Sequence, residues 1–257
     1  MGTVLQSRYE LRYLIASGGM ADVHAAFDRE VQQSVAVKLL RPELAADRTA
    51  NERLRREGEA LAAVQSPHVV GLHDIGCEGD TVFLVLERIH GLTVEHEIRR
   101  FGPISPRRAC GITLDILCGL DAIHASTLVH RDIKPANVMI DLDDRAVLVD
   151  LGIALHLRRR ALTEPGFATG TPAYMAPEQL DDVPLDGRVD LYQLGMLLVY
   201  MTTGVDIDRE SGHEALLRMP PALCDVALRA LAPAGARYRS ASVMAAAVAN
   251  VMDRKLL

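Results

Sequence analysis

The sequence has no CxxC pair: its four cysteines, Cys77, Cys110, Cys118 and Cys224, stand at spacings that suit no zinc site. They are expected to be buried, reduced thiols of a cytosolic protein. Its nine histidines are scattered and show no ligand spacing. A basic excess is missing as well. The net charge is −6 and the isoelectric point about 5.8, which argues against a nucleic-acid surface, since that needs a positive field. The longest apolar run, around Leu194 to Met201, is far too short to span a bilayer. Met1-Gly2-Thr3-Val4-Leu5 lacks the charged start and apolar stretch of a signal peptide. A soluble, cytoplasmic chain with no membrane segment and no nucleic-acid partner is therefore expected. Whether a longer parent protein carries an anchor beyond Leu257 stays open. No internal repeat or low-complexity segment is present.

What is present is globular. Of 257 residues, 49% are hydrophobic and 24% charged, enough apolar material for a core in one large domain or two small lobes. The character of the chain changes near residue 90. Before it, short β-rich runs predict strands at Tyr9–Leu14, Val23–Phe27, Ser34–Leu39, Val69–Ile75 and Val82–Leu86. One charged helix interrupts them, with Thr49 and Glu52 at capping-box spacing and an apolar stripe of Leu54, Leu61 and Val64. After Gly91 the pattern is mainly helical. Ser105-Pro106 opens a helix to about Ala125. Two short strands follow at Val138–Ile140 and Ala146–Val149. A nearly all-apolar helix runs from Gly187 to Thr203, and two more cover Pro221–Leu231 and Ser240–Met252. A small sheet lobe joined to a larger helical lobe implies a cleft, and clefts between lobes bind ligands.

Four segments carry chemistry. The turn Ile15-Ala16-Ser17-Gly18-Gly19-Met20-Ala21-Asp22-Val23 lies between two predicted strands. Its glycines let backbone N–H groups approach phosphate oxygens, although alone it reads as an ordinary hairpin. Val35-Ala36-Val37-Lys38 ends a strand in a lysine, which matters if a carboxylate holds it over phosphates. Glu57 is the candidate, because Leu54, Glu57 and Leu61 share one helix face; Glu52 and Glu59 fall on other faces. In His130-Arg131-Asp132-Ile133-Lys134-Pro135-Ala136-Asn137, Asp132 can accept a hydroxyl proton and Lys134 can offset charge on a phosphoryl group. Asn137 there, and Asp150 in Asp150-Leu151-Gly152, offer the oxygen ligands that Mg²⁺ requires. His130 reads as a packed structural histidine.

Taken together, these segments resemble the protein kinase family. The order is glycine loop, strand lysine, helix glutamate, H-R-D-x-K-x-x-N, D-L-G in place of the commoner D-F-G, and Gly170-Thr171-Pro172-Ala173-Tyr174-Met175-Ala176-Pro177-Glu178. The chain is most similar to bacterial, Hanks-type serine/threonine kinases. The resemblance implies an α+β, bilobal protein-kinase-like fold over residues 9–257. A small antiparallel β-sheet lobe with one helix would occupy 9–86, a hinge 87–89, and a larger mainly helical lobe 90–257. It implies transfer of the γ-phosphoryl group of ATP, with Mg²⁺ or alternatively Mn²⁺, to serine or threonine hydroxyls of protein substrates in bacterial signalling. Lys38, Glu57, Asp132, Lys134, Asn137 and Asp150 would be catalytic, with Asn137 and Asp150 the metal ligands.

By the same resemblance, Ala16, Ser17, Gly18 and Gly19 would cover the phosphates, and Val23, Ala36 and Met139 would sandwich the adenine. Leu86 would border the rear of the pocket, with hinge backbone from Glu87 to Ile89 binding the base. Glu178 would pair with Arg237, and Asp190 would bind backbone near the catalytic loop. Thr171 would contact substrate, while Thr163, with Thr169 second, would be the autophosphorylated switch. Arg158-Arg159-Arg160 reads as a solvated basic run, or more sharply as the partner of such a phosphothreonine. Self-association through the sheet lobe is a further expectation. Two departures stand out: Ala16 and Ala21 occupy positions where the loop usually has glycine, and the region from Gly204 to Pro221 is shortened, which puts a docking helix in doubt. A nucleotide-binding scaffold and a small-molecule phosphotransferase are the alternative functions.

Overall fold

The structure, a computed structural model, describes residues 3–151, 174–180, 184–205 and 212–253. Gly152, Arg158 to Arg160, Thr163, Thr169 and Thr171 lie outside the described residues, as do residues 206–211 of the shortened region.

The first unit is a six-stranded antiparallel sheet: β1 (Val4–Leu5), β2 (Tyr9–Ser17), β3 (Ala21–Asp28), β4 (Gln33–Leu40), β5 (Leu72–Glu78) and β6 (Thr81–Glu87), in the order β1-β2-β3-β4-β6-β5. Side chains alternate across a strand, so β4 serves two cores at once. Val35 and Val37 pack with Tyr9, Phe83 and Val85 on one face, while Ala36 and Leu40 face Leu54, Leu61, Leu84 and Leu86 on the other. Lys38 follows the second alternation, which turns it toward the only α-helix of this unit among the described residues, α1 (Arg48–Ala62). That helix is amphipathic, burying Leu54, Glu57, Gly58 and Leu61.

The capping of α1 differs from expectation. Asp47, not a Thr49–Glu52 box, closes its N-terminus, its carboxylate accepting from Thr49 N at 2.7 Å and Ala50 N at 3.3 Å. The helix begins one residue before Thr49, so that threonine already lies inside the first turn. Strand β5 also starts three residues later than expected. Residues 67–70 are instead held by the second unit, as the bridge of Val69 to Leu148 marks.

That unit begins at a three-stranded sheet, β7 (Gly91–Thr93), β8 (Val138–Asp141) and β9 (Ala146–Leu148). Gly91 directly follows the connection from the large sheet, and the two backbones approach so closely that a Cβ there would lie 1.9 Å from the Ile140 carbonyl oxygen. Gly91→Ala is therefore expected to cost about 1–3 kcal/mol through forced backbone shifts. Urea unfolding would read this as a lower midpoint at unchanged slope.

The helical body comprises α2 (Val94–Phe101), α3 (Pro106–Ala125), α4 (Arg188–Thr203), α5 (Gly212–Leu217), α6 (Pro221–Ala230) and α7 (Ala241–Asp253). α4 runs through the middle with almost every side chain from Val189 to Met201 buried, and α3 packs against both α4 and α7. The polar α2 carries only two buried residues, Val94 and Ile98, and its N-cap Thr93 accepts from His96 N. Among the described residues, the region between Gly204 and Pro221 carries one six-residue helix, α5. Three cysteines depart from expectation: Cys77, near the end of edge strand β5, and Cys118, on the outer face of α3, are exposed, and Cys224 is half-buried. Cys110 is buried, and burial pushes its thiol up to about 11. No described helix is long and apolar enough to cross a membrane.

Candidate active site

Between the sheet and the helical body lies a cavity of about 710 Å³, a size suited to a nucleotide. Its roof is the turn between β2 and β3. Gly18 N donates to the Ala21 carbonyl at 3.0 Å, and Ser17 Oγ donates to Asp22 Oδ1 at 2.6 Å, so the hairpin is clasped across its mouth. Ala16, Ser17, Gly18, Gly19, Val23 and Ala36 line the cavity from above, and Met139 lines it as well. At one end stand Leu86, Glu87 and Ile89.

At the other end the pleat of β4 and the inward face of α1 meet. Lys38 Nζ donates to Glu57 Oε1 at 2.6 Å and to Asp150 Oδ1 at 2.9 Å. Lys38 and Glu57 are buried, whereas the Asp150 side chain is 42% exposed and faces the cavity. Burial disfavours every charge here, but the ammonium gains more from Asp150 and Glu57 than it loses, so Lys38 titrates above its ordinary range. Asp150 is held low by Lys38 against its own desolvation. Glu57 differs: burial outweighs the attraction of Lys38, Asp150 repels it as well, and its carboxyl is pushed up to about 7. Protonation of Glu57 on the acid side would break its ion pair with Lys38. The kcat/KM for nucleotide is therefore expected to fall up to tenfold per pH unit on that acid side, since this ratio reports groups of the free enzyme. A flat profile between pH 5.5 and 8 would contradict the coupling.

The segment from His130 to Asn137 forms the floor. Two donors converge on one oxygen of Asp132: Lys134 Nζ at 2.7 Å and Asn137 Nδ2 at 2.8 Å reach Oδ2, and the same amide also donates to the Asp132 carbonyl at 2.9 Å. With its NH₂ spent on Asp132, Asn137 turns its amide oxygen the other way. Arg131 has a left-handed φ of 67°, unusual for a side-chain-bearing residue. Buried groups on α4 hold it there. Asp190 accepts from His130 N at 3.0 Å, Arg131 N at 2.7 Å and His124 Nε2 at 2.7 Å. Gln193, one turn on, accepts from Ile133 N at 2.9 Å and donates to the Arg131 carbonyl at 2.9 Å. His130 is buried, which lowers its pKa, and its Nδ1 accepts from Asp132 N at 3.3 Å. Farther down, Arg237 pairs with Glu178 through two hydrogen bonds, one of them 2.9 Å from Nη2 to Oε2, and also donates to the Ala232 carbonyl at 2.7 Å. Arg237 holds the Glu178 carboxyl below its usual range against desolvation.

Several residues of this site escaped the sequence reading. Gln193 and His124 complete the support under the segment from His130 to Asn137, and a lone glutamine inside a mostly apolar helix was the available signal. Val70, Thr93, His96 and Val149 also line the cavity; their local pattern is that of ordinary core or helix-cap residues.

Residues 9–221 match the protein kinase domain family. The chain is 38% identical over 219 residues to the serine/threonine-protein kinase PknH of Mycobacterium tuberculosis, covering 85% of this chain and 33% of PknH. It is 39% identical over 196 residues to PknE of the same organism, covering 76% and 35%. It thus spans about a third of the length of these relatives. The crystal structure of the Mycobacterium tuberculosis PknI kinase domain superposes with a TM-score of 0.74 at 26% identity, covering 99% of this chain and 98% of that one. The chain therefore belongs to the protein kinase domain family, in its bacterial, Hanks-type serine/threonine branch.

Proposed function

We propose that the chain transfers the γ-phosphoryl group of Mg-ATP to serine or threonine hydroxyls of protein substrates, as a cytoplasmic domain. The observation that carries this reading is the convergence on one cavity of a buried Lys38–Glu57–Asp150 cluster with Asp132, Lys134 and Asn137. Lys38, fixed by Glu57, orients the phosphates. Asp132 takes the hydroxyl proton on Oδ1, since Lys134 and Asn137 occupy Oδ2. Lys134 also offsets negative charge on the transferring group. Little covalent work falls to the protein; positioning and charge stabilisation supply most of the catalysis.

The donor set fits a hard divalent cation. The cavity-facing Asp150 carboxylate and the Asn137 amide oxygen would hold Mg²⁺, or alternatively Mn²⁺, because both offer oxygen. When bound, that ion neutralises charge on the phosphate oxygens. For the base, Val23, Ala36, Leu86 and Met139 offer apolar walls beside the backbone of Glu87 to Ile89. Autophosphorylation at Thr163, substrate contact through Thr171 and self-association through the sheet unit belong to the same reading, on sequence position alone.

Incubation with radiolabelled ATP, Mg²⁺ and a generic basic protein tests it, with Lys38→Met as the control. Label in protein serine and threonine, lost in the control, is the expected result. A nucleotide-dependent rise in melting temperature without transfer would favour a scaffold, and label confined to small molecules a metabolite kinase. Phosphosite mapping in the same reaction reads Thr163.

A further inference from the structure

We propose that Arg145 is a positioning residue for the nucleotide cleft: its guanidinium joins the Pro67 carbonyl, the Glu87 carboxylate and Asp141, and so clasps the sheet unit to the helical unit behind the cavity. The inference rests on the functional reading above.

Residues 67–71 link α1 to β5 but are bonded to β9 of the other unit. Val70 N donates to the Leu148 carbonyl at 2.8 Å, and Leu148 N donates to the His68 carbonyl at 3.0 Å. His68 Nδ1 lies 3.0 Å from the Ala146 carbonyl, so this nitrogen carries the proton and donates. Arg145 stands next in line. Its Nη1 donates to the Pro67 carbonyl at 3.1 Å, its Nε to Asp141 Oδ2 at 2.9 Å, and its Nη2 reaches Glu87 Oε1 at 3.8 Å. The same glutamate accepts from Gly71 N through Oε2 at 3.3 Å, and Glu87 N donates to the Gly71 carbonyl at 2.8 Å.

The pair with Glu87 alone would count for little, since both side chains are more than a third exposed. Asp141 changes that. It is 11% exposed, accepts from Arg145 N and Asp143 N as well, and is held low in pKa by these partners against desolvation. It therefore makes a fixed post that aims the guanidinium. Only a planar fork can serve Asp141, Pro67 and Glu87 together; a lysine ammonium on a flexible stem cannot. The clasp bears on both ends of the cleft, because Glu87 lines the cavity where the base is expected and residues 67–70 follow α1, which carries Glu57.

Steady-state kinetics in ATP test this. Arg145→Ala is expected to raise the KM for ATP about fivefold while kcat stays within twofold, the split that separates positioning of nucleotide from loss of chemistry. Arg145→Lys keeps the charge, loses the fork and is expected to resemble alanine. Adding Glu87→Gln to Arg145→Ala should raise KM less than the two single effects multiplied, because both act through one contact. An unchanged KM in Arg145→Ala, full recovery by lysine, or multiplicative effects would overturn the clasp. Normal wild-type transfer accompanies any of these results if the functional reading holds. Wild-type protein that binds no fluorescent ATP analogue would overturn that reading and the clasp with it.

Discussion

Asp132→Asn is expected to lower kcat about 10²- to 10⁴-fold, the range a positioned general base contributes, with nucleotide binding and melting temperature little changed. The geometry explains the separation. Lys134 Nζ and Asn137 Nδ2 both donate to Asp132 Oδ2, at 2.7 and 2.8 Å. An asparagine has one carbonyl oxygen, and these two donors claim it. Its NH₂ then sits where Asp132 Oδ1 stood and presents a donor to the incoming hydroxyl. The proton acceptor is lost while the loop keeps its hydrogen bonds. Single-turnover transfer beside nucleotide-binding titrations would measure both quantities. A loss smaller than tenfold would remove Asp132 from the role of base.

The second large effect concerns stability. Asp190→Ala is expected to cost about 3–5 kcal/mol, because a buried acceptor is removed and its donors stay behind. Asp190 is fully buried and takes the His130 and Arg131 backbone N–H groups together with His124 Nε2. Without it the left-handed turn at Arg131 loses both backbone N–H contacts to Asp190 and keeps those made by Gln193 and Gln179. The melting temperature should fall on the order of 10 °C for a domain of this size, and kcat should fall more than KM. Asp190→Asn should be intermediate, since the amide keeps one acceptor oxygen and puts a donor against the second N–H. Thermal and urea unfolding would check the ranking. Equal stability of all three proteins would show that the loop does not depend on α4.

Much of the fold was legible. Val35 to Lys38, Val82 to Leu86 and Gly187 to Thr203 are runs whose apolar content exceeds what a loop can hide, so their element types followed directly. Boundaries were less legible. Thr49 and Glu52 had the right spacing for a cap, but Asp47 stands closer to the first unsatisfied N–H groups and takes them. α2 was missed because it buries only Val94 and Ile98, too few for a stripe. Cys77 and Cys118 were read as buried from the habit of the residue type; their exposure is set by which edge or helix face they occupy.

What the sequence determined by itself is the order of chemically specific segments and the residue types in them: an acceptor, a cation and two side chains with oxygen donors within Asp132 to Asp150, preceded by a lysine on a strand and a glutamate on a helix. Spacing along a strand or helix decides which face a side chain takes, so Glu57 could be chosen over Glu52 and Glu59. Only the tertiary structure brought Lys38 to Glu57, 19 residues away, and to Asp150, 112 residues away. It also placed Gln193 beneath the segment from His130 to Asn137 and Arg145 beside Glu87. Those contacts form where elements distant in the chain pack, and no local periodicity encodes which side chains will face each other there.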